Sequence, residues 1–174
     1  MGLALNIGVQ GPVIAWSWPS YGAKAAYAED GKVVNWSHPH VATFLSELQG
    51  SLSENASLSQ AKIHLIAHSM GSRILLKVFT QLARDRKTKN LGSVVFAAGD
   101  VGQEEFKSEI EPVYQSATEP LQKSTIYASA NDGAIRMSEN VHFNFRIGSG
   151  GKNTLIVNEA ESVDVDLPGH SLCF

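Results

Sequence analysis

The sequence has one cysteine, Cys173, so no disulfide can close within the chain and no multi-cysteine metal site can be built. It has no surplus of positive charge. Fourteen Lys and Arg stand against seventeen Asp and Glu, a net charge of -3, whereas a polyanion binder carries a basic excess. Nucleic acid is therefore not an expected partner. No apolar run approaches the roughly 20 residues that span a bilayer. No Lys or Arg precedes Lys24, so the charged start of a secretory leader is missing, and Asn6 stands where an N-myristoylation motif has Ser or Thr. A cytoplasmic protein is the expectation. What remains is 174 residues with 43% hydrophobic and 18% charged side chains, enough for one domain, 1–174, around a buried core.

Short apolar runs alternate with helical stripes. Val13-Ile14-Ala15-Trp16 is bounded by Gly11-Pro12 and Pro19 and reads as a buried strand. Val41, Phe44, Leu45 and Leu48 recur at helical spacing, with Pro39 suited to a first helical turn. Ile63–Ala67 is a second strand. Ile74, Leu75, Val78, Phe79 and Leu82 stripe a helix reaching about Arg86. Val94–Ala98 is a third strand, and Phe106, Ile110 and Val113 stripe another helix. Thr125–Ala128 and Leu155–Val157 complete the set as fourth and fifth strands. Strands apolar throughout, alternating with helices, imply an α/β fold: a mostly parallel sheet of about five strands with helices on both faces. Reactive groups in such sheets collect at the carboxyl ends of the strands.

After the second strand comes Ala67-His68-Ser69-Met70-Gly71, followed at once by the striped helix. A serine that projects its hydroxyl from a sharp strand-to-helix turn needs small residues two positions before and after it, because the strand end and helix start pass close together. Ala67 and Gly71 meet that need. The Met70 N–H, near a helix N-terminus, then points to where an oxyanion would form. The plainer alternative is a serine that only caps a helix.

A serine nucleophile needs a base, and the base needs an orienting acid. Of six histidines, His64 and His68 lie in or beside the nucleophile strand, His38 and His40 flank Pro39 in a turn, and His142 sits among Phe143 and Phe145 as packing. His170 follows the last strand in Asp166-Leu167-Pro168-Gly169-His170-Ser171, a turn-rich loop where a mobile base belongs. Two acids end strands: Asp132 in Ser129-Ala130-Asn131-Asp132-Gly133, and Asp100 in Ala98-Gly99-Asp100-Val101. Asp132 is one strand nearer the His170 loop, whereas Asp100 can cap the helix after it.

Taken in order, Ser17-Trp18-Pro19-Ser20-Tyr21-Gly22, Ile66-Ala67-His68-Ser69-Met70-Gly71, Ala97-Ala98-Gly99-Asp100-Val101, Tyr127–Ala134 and Gly169-His170-Ser171 resemble an uncharacterised bacterial branch of the α/β-hydrolase superfamily, esterase- or lipase-like. The resemblance runs over nearly the whole chain. It implies that Ser69 is the nucleophile, Asp132 the acid and His170 the base. One departure matters. Relatives begin with a further strand ending in His-Gly, then a helix, before the strand at Val13–Trp16. This chain has no His-Gly dipeptide, and Leu3-Ala4-Leu5 resembles the tail of that helix. The missing strand lies between Val13–Trp16 and the nucleophile strand, and its loop supplies one of two oxyanion donors. Either Val13–Trp16 pairs directly with Ile63–Ala67 and the loop at Ser17, Trp18 and Pro19 offers a substitute, or a second copy of the chain fills the gap as a homo-oligomer. Losing one donor costs about two to three orders of magnitude in turnover.

Other candidate sites fall away. In Gly148-Ser149-Gly150-Gly151-Lys152-Asn153-Thr154 the first glycine of a phosphate loop would fall on Arg146, and Asn153 replaces the Ser or Thr. His38-Pro39-His40 has no third ligand nearby, so no metal is expected. Trp16, Trp18, Trp36 and Tyr21 can line an acyl pocket or pack in the core; Trp16 reads as core, and Trp18 as nearer the active edge. Residues 20–36 are the one segment suited to be a lid. The expectation is a serine carboxylester hydrolase with a small-molecule ester substrate and no cofactor. The alternative is a truncated, catalytically impaired relative that binds a partner or apolar ligand.

Overall fold

In the computed structural model, which describes residues 11–21, 26–117 and 121–165, four strands lie side by side in chain order. They are β1 (Ile63–His68), β2 (Leu91–Ala97), β3 (Ser124–Ala128) and β4 (Ala160–Asp164), and every neighbouring pair is parallel. Four α-helices accompany them among the described residues: α1 (Tyr27–Glu54), α2 (Gly71–Arg84), α3 (Gln103–Ser116) and α4 (Gly133–His142). This is the expected parallel α/β sheet flanked by helices, with four strands where about five are expected.

Sequential parallel strands joined by right-handed crossovers carry their connections back on one face. α2 and α3 accordingly cover the face on which Leu65, Ala67, Val94, Phe96 and Ile126 point, and α2 supplies Leu75, Leu76 and Phe79 to it. The opposite stripe of α2, Ile74, Val78 and Leu82, buries against Val34, Ala42 and Leu45 of α1. Burying each such side chain stabilises by about 1.5–3 kcal/mol, so α2, sandwiched between sheet and α1, anchors the domain. On the second face His64, Ile66, His68 and Val163 are exposed.

Several sequence expectations are corrected. Val13–Trp16 joins no strand: Val13 is 53% and Ile14 58% exposed. An apolar run makes a buried strand only where a neighbour offers a ladder, and here none does among the described residues. For the same reason Val13–Trp16 does not pair with β1. Trp16 is also exposed, against the rim of Phe44, rather than in the core. Pro39 does not open a helix but lies inside α1, with His38 and His40 helical too. Burial of Val34 and Ser37 upstream and Ala42 and Leu45 downstream holds the helix through the lost N–H. The suggested lid, 20–36, is in its described second half the first turns of α1. Finally, Leu155–Val157 is not the last strand. Leu155 is buried and Ile156 82% exposed, but the ladder to β3 forms five residues later, at the polar Ala160–Asp164. No helix among the described residues is long and apolar enough to cross a membrane.

Candidate active site

β1 ends at His68, α2 begins at Gly71, and Ser69 makes the turn between them with a φ of 52°. Left-handed backbone is unfavourable for a side-chain-bearing residue and costs of the order of 1–3 kcal/mol unless the surroundings impose it. They impose it by three backbone hydrogen bonds: the Ser69 amide donates to Ala97 O, and its carbonyl accepts from the amides of Ser72 and Asp100, all at 3.0 Å. Ala98, at the end of β2, is left-handed as well, with a φ of 46°.

The turn brings its flanking residues together at ordinary contact: a Cβ placed on Gly71 would stand 4.0 Å from the Ala67 Cβ and 3.5 Å from the Trp18 ring, so an alanine would fit there but a larger side chain would meet both. Trp18 therefore packs over the turn. Its indole N–H is buried with no acceptor among the described residues. The loop that carries Trp18 is pinned to α1: Asp30 accepts the Ser20 hydroxyl and the Tyr21 amide, each at 2.8 Å. Ser17, on the same loop, is exposed. Met70 precedes α2 with its side chain in the α1–α2 core.

Asp132 stands at the carboxyl end of β3, 2% exposed, and caps α4, with its Oδ1 accepting the amides of Ala134 at 2.9 Å and Ile135 at 3.0 Å. Asp100, at the end of β2 and equally buried, is engaged on both oxygens. Oδ2 accepts from the Tyr27 hydroxyl and from Arg73 at 3.0 Å. Oδ1 accepts the Ser138 hydroxyl at 2.5 Å and faces Arg146 at 3.3 Å. That leaves Asp100 committed to two guanidiniums behind the serine turn. His170 lies outside the described residues, as does Cys173.

Sequence reasoning missed this network. Tyr27, Arg73, Asp100, Ser138, His142 and Arg146 come from three helices and two loops with no common spacing, so no motif signals it. Three of its members, Tyr27, His142 and Arg146, have shifted pKa values. Burial, then the bond to Asp100, pushes the Tyr27 hydroxyl pKa above 10.0. Burial lowers the Arg146 guanidinium. His142, read from the sequence as packing, accepts Arg73 Nη2 at Nε2 over 3.3 Å with Tyr27 edge-on to its ring. Burial and the charges of Arg146 and Arg73 hold it below 6.5. Among the described residues no three His, Cys, Asp or Glu side chains gather as a metal site would require.

The three strand ends thus present Ser69, Asp100 and Asp132 along one rim, the arrangement in which α/β sheets place reactive groups. No curated protein matches the chain, and no solved structure does. Residues 2–165 match the model of a family described as an alpha/beta hydrolase of unknown function (DUF900). With that match covering all but the ends of the sequence, and with the parallel sheet and the left-handed serine turn beside it, the chain belongs to this alpha/beta-hydrolase family.

Proposed function

We propose that the protein is a serine hydrolase that cleaves small carboxylic esters. Ser69 Oγ attacks the acyl carbon while His170 takes its proton, and the carbonyl oxygen becomes an oxyanion held by the Met70 N–H. Collapse expels the alcohol, which leaves with the proton from His170, and the acyl group stays on Ser69. Water, deprotonated by His170, attacks the acyl-enzyme. The acid departs, and the Ser69 oxygen recovers its proton from His170. Asp132 holds the imidazole in the tautomer that accepts at the serine side. Ser17 and Trp18, on the loop packed against Gly71, border the acyl-binding side of the turn and are the place for a second oxyanion donor. No metal or organic cofactor takes part.

The observation that carries this reading is the left-handed φ of 52° at Ser69, on a strand-to-helix turn flanked by Ala67 and Gly71. Strain of this kind at a helix cap has no use; at a nucleophile it lifts the hydroxyl clear of the sheet.

A fluorophosphonate probe should label the protein stoichiometrically at Ser69. Ser69→Ala and Ser69→Gly should both lose labelling and turnover of a short-chain chromogenic ester. The glycine variant, free of the left-handed penalty, should be more stable than the alanine variant by about 1 kcal/mol. Turnover that survives Ser69→Ala overturns the assignment. A binding module is the second reading, favoured by the exposed Ile66 and Val163 on the open sheet face; absence of labelling in a folded sample supports it.

A further inference from the structure

The β2–β3 ladder runs from Val95 opposite Thr125 to Ala97 opposite Tyr127, and the Ala98 amide closes it on the Tyr127 carbonyl at 2.9 Å. At that point Ala98 turns left-handed, and residues 146–150 enter between the two strand ends. They bridge both: Arg146 pairs with Gly102 beyond β2, and Ser149 with Ser129 beyond β3. Gly148 sits at the centre. Its amide donates to the Gly99 carbonyl at 3.0 Å, and its carbonyl accepts the Ser129 amide at 3.1 Å. On one side Gly99 leads to Asp100, whose amide is bonded to the Ser69 carbonyl. On the other, the Ser129 hydroxyl accepts the amide of Asn131, next to Asp132, at 3.2 Å. A run of backbone contacts thus joins the turn of Ser69 to the turn of Asp132 through one inserted glycine.

Where it touches the strand ends, the insert is as thin as a polypeptide can be. A Cβ on Gly148 would fall 2.7 Å from the Ala98 carbonyl carbon, and one on Gly150 2.4 Å from the Ala130 nitrogen. The insert is also held from outside. Arg146 donates from Nε to Ser138 at 2.8 Å and faces Asp100 at 3.3 Å. The Ile147 amide donates to the Val101 carbonyl at 2.9 Å. The Ser149 hydroxyl accepts the Arg146 amide at 2.9 Å and donates to Glu139 at 2.5 Å. We propose that residues 146–150 are a spacer that sets the separation of Ser69 from Asp132, with Gly148 and Gly150 as positioning residues. The inference rests on the hydrolase reading: one imidazole must reach the serine hydroxyl and the Asp132 carboxylate at once, and a misplacement of about 1 Å costs of the order of 100-fold in rate. A side chain added to the spacer pushes the two turns apart.

The test reads the rate at which a fluorophosphonate labels Ser69, with kcat and KM for a chromogenic ester, below the unfolding transition of every variant. Gly148→Ala should lower the labelling rate and kcat by about 10–100-fold and leave KM within about twofold. Leu82→Ala, which empties a buried position between α1 and α2 and also destabilises, should label as the parent does. A double variant separates spacing from general loosening. Asp132→Asn keeps an oxygen for the Ala134 and Ile135 amides. Adding Gly148→Ala to it should cost little more, because the spacing to a working carboxylate no longer matters. If Gly148→Ala does not fold, Ser149→Ala takes its place: it keeps both glycines, cuts the ties to Arg146 and Glu139, and should show the same pattern on a smaller scale. A parent that never labels overturns the hydrolase reading and the spacer with it. A parent that labels while Gly148→Ala, or Ser149→Ala in its place, matches it overturns the spacer alone. So do losses that simply multiply in the double variant.

Discussion

The carbonyl of Ser69 and the amide of Asp100 are hydrogen-bonded at 3.0 Å, which ties the candidate nucleophile's backbone to the most heavily bonded carboxylate among the described residues. The Asp100 carbonyl in turn accepts Arg73 Nε at 2.9 Å, and Arg73 belongs to the first turns of the helix that Ser69 introduces. The strained turn is thus closed into a ring of contacts: Ser69 to Asp100, Asp100 to Arg73, Arg73 back along α2. A residue with left-handed φ relaxes unless its surroundings over-determine it, and this ring, with Tyr27 and Arg146 bracing Asp100, does so.

Asp100→Asn should therefore be costly. The Asp100 carboxylate and the Arg146 guanidinium are almost fully buried and Arg73 is 16% exposed, so removing the negative charge leaves two cations facing each other with little solvent. Breaking a buried pair from one side costs about 3–5 kcal/mol. Urea unfolding should give a loss in that range, with ester turnover falling alongside it as the Ser69 turn loosens. A loss below 1 kcal/mol by the same measure would mean the network braces nothing.

The order of elements was legible where burial and periodicity coincide. Ile63–Ala67, Val94–Ala98 and Thr125–Ala128 fall on β1, β2 and β3, and Phe106, Ile110 and Val113 are the buried stripe of α3. Ser69 was legible because the turn demands small residues at fixed offsets. Two kinds of feature were not. Local signals failed where tertiary contacts overrode them: Pro39 is carried inside α1 by packing on α2, and Val13–Trp16 is apolar enough for a strand yet lacks a partner. β4, Ala160-Glu161-Ser162-Val163-Asp164, is an edge strand whose polar residues give no apolar run. The Asp100 network is assembled by topology alone, from side chains as far apart as Tyr27 and Arg146. His170 carries the proposal's base by its place after the last strand, and its geometry lies outside the described residues.

Glycines around the rim should respond unequally. A Cβ on Gly150 would fall 2.5 Å from the Ser129 carbonyl carbon, and one on Gly148 2.7 Å from the Ala98 carbonyl carbon and the Gly99 nitrogen. These are backbone atoms of the segments leading to Asp132 and Asp100, and they cannot step aside. A Cβ on Gly71 meets side chains alone, the Trp18 ring at 3.5 Å and the Ala67 Cβ at 4.0 Å, both ordinary contacts. Gly150→Ala and Gly148→Ala should each lose about 1–3 kcal/mol or more, whereas Gly71→Ala should stay within about 1 kcal/mol of the parent. Thermal unfolding of the three variants side by side makes the comparison, and equal losses would contradict the spacing found here.

His142 gives the network a pH dependence whose sign follows from its surroundings. Burial and the cations Arg146 and Arg73 lower its pKa from 6.5, and Arg73 donates to its Nε2, which requires that nitrogen to be unprotonated. The groups facing it from neighbouring elements are Tyr27 of α1, Arg73 of α2, Asp100 after β2, Glu105 of α3 and Arg146; the two carboxylates pull its pKa the other way but do not reverse it. In the unfolded chain the imidazole takes a proton as pH falls through 6.5, while in the folded chain it resists until lower pH. The unfolded state then binds more protons, so the contribution is present above pH 6.5 and is lost as pH falls from 6.5 toward the folded value. His142→Gln, which keeps an acceptor for Arg73 and removes the titration, should flatten the slope of stability against pH between about 6.5 and 5 and leave stability at pH 8 little changed. Parent and variant curves from urea unfolding that remain parallel across that window would show that the imidazole is as free to protonate in the fold as out of it.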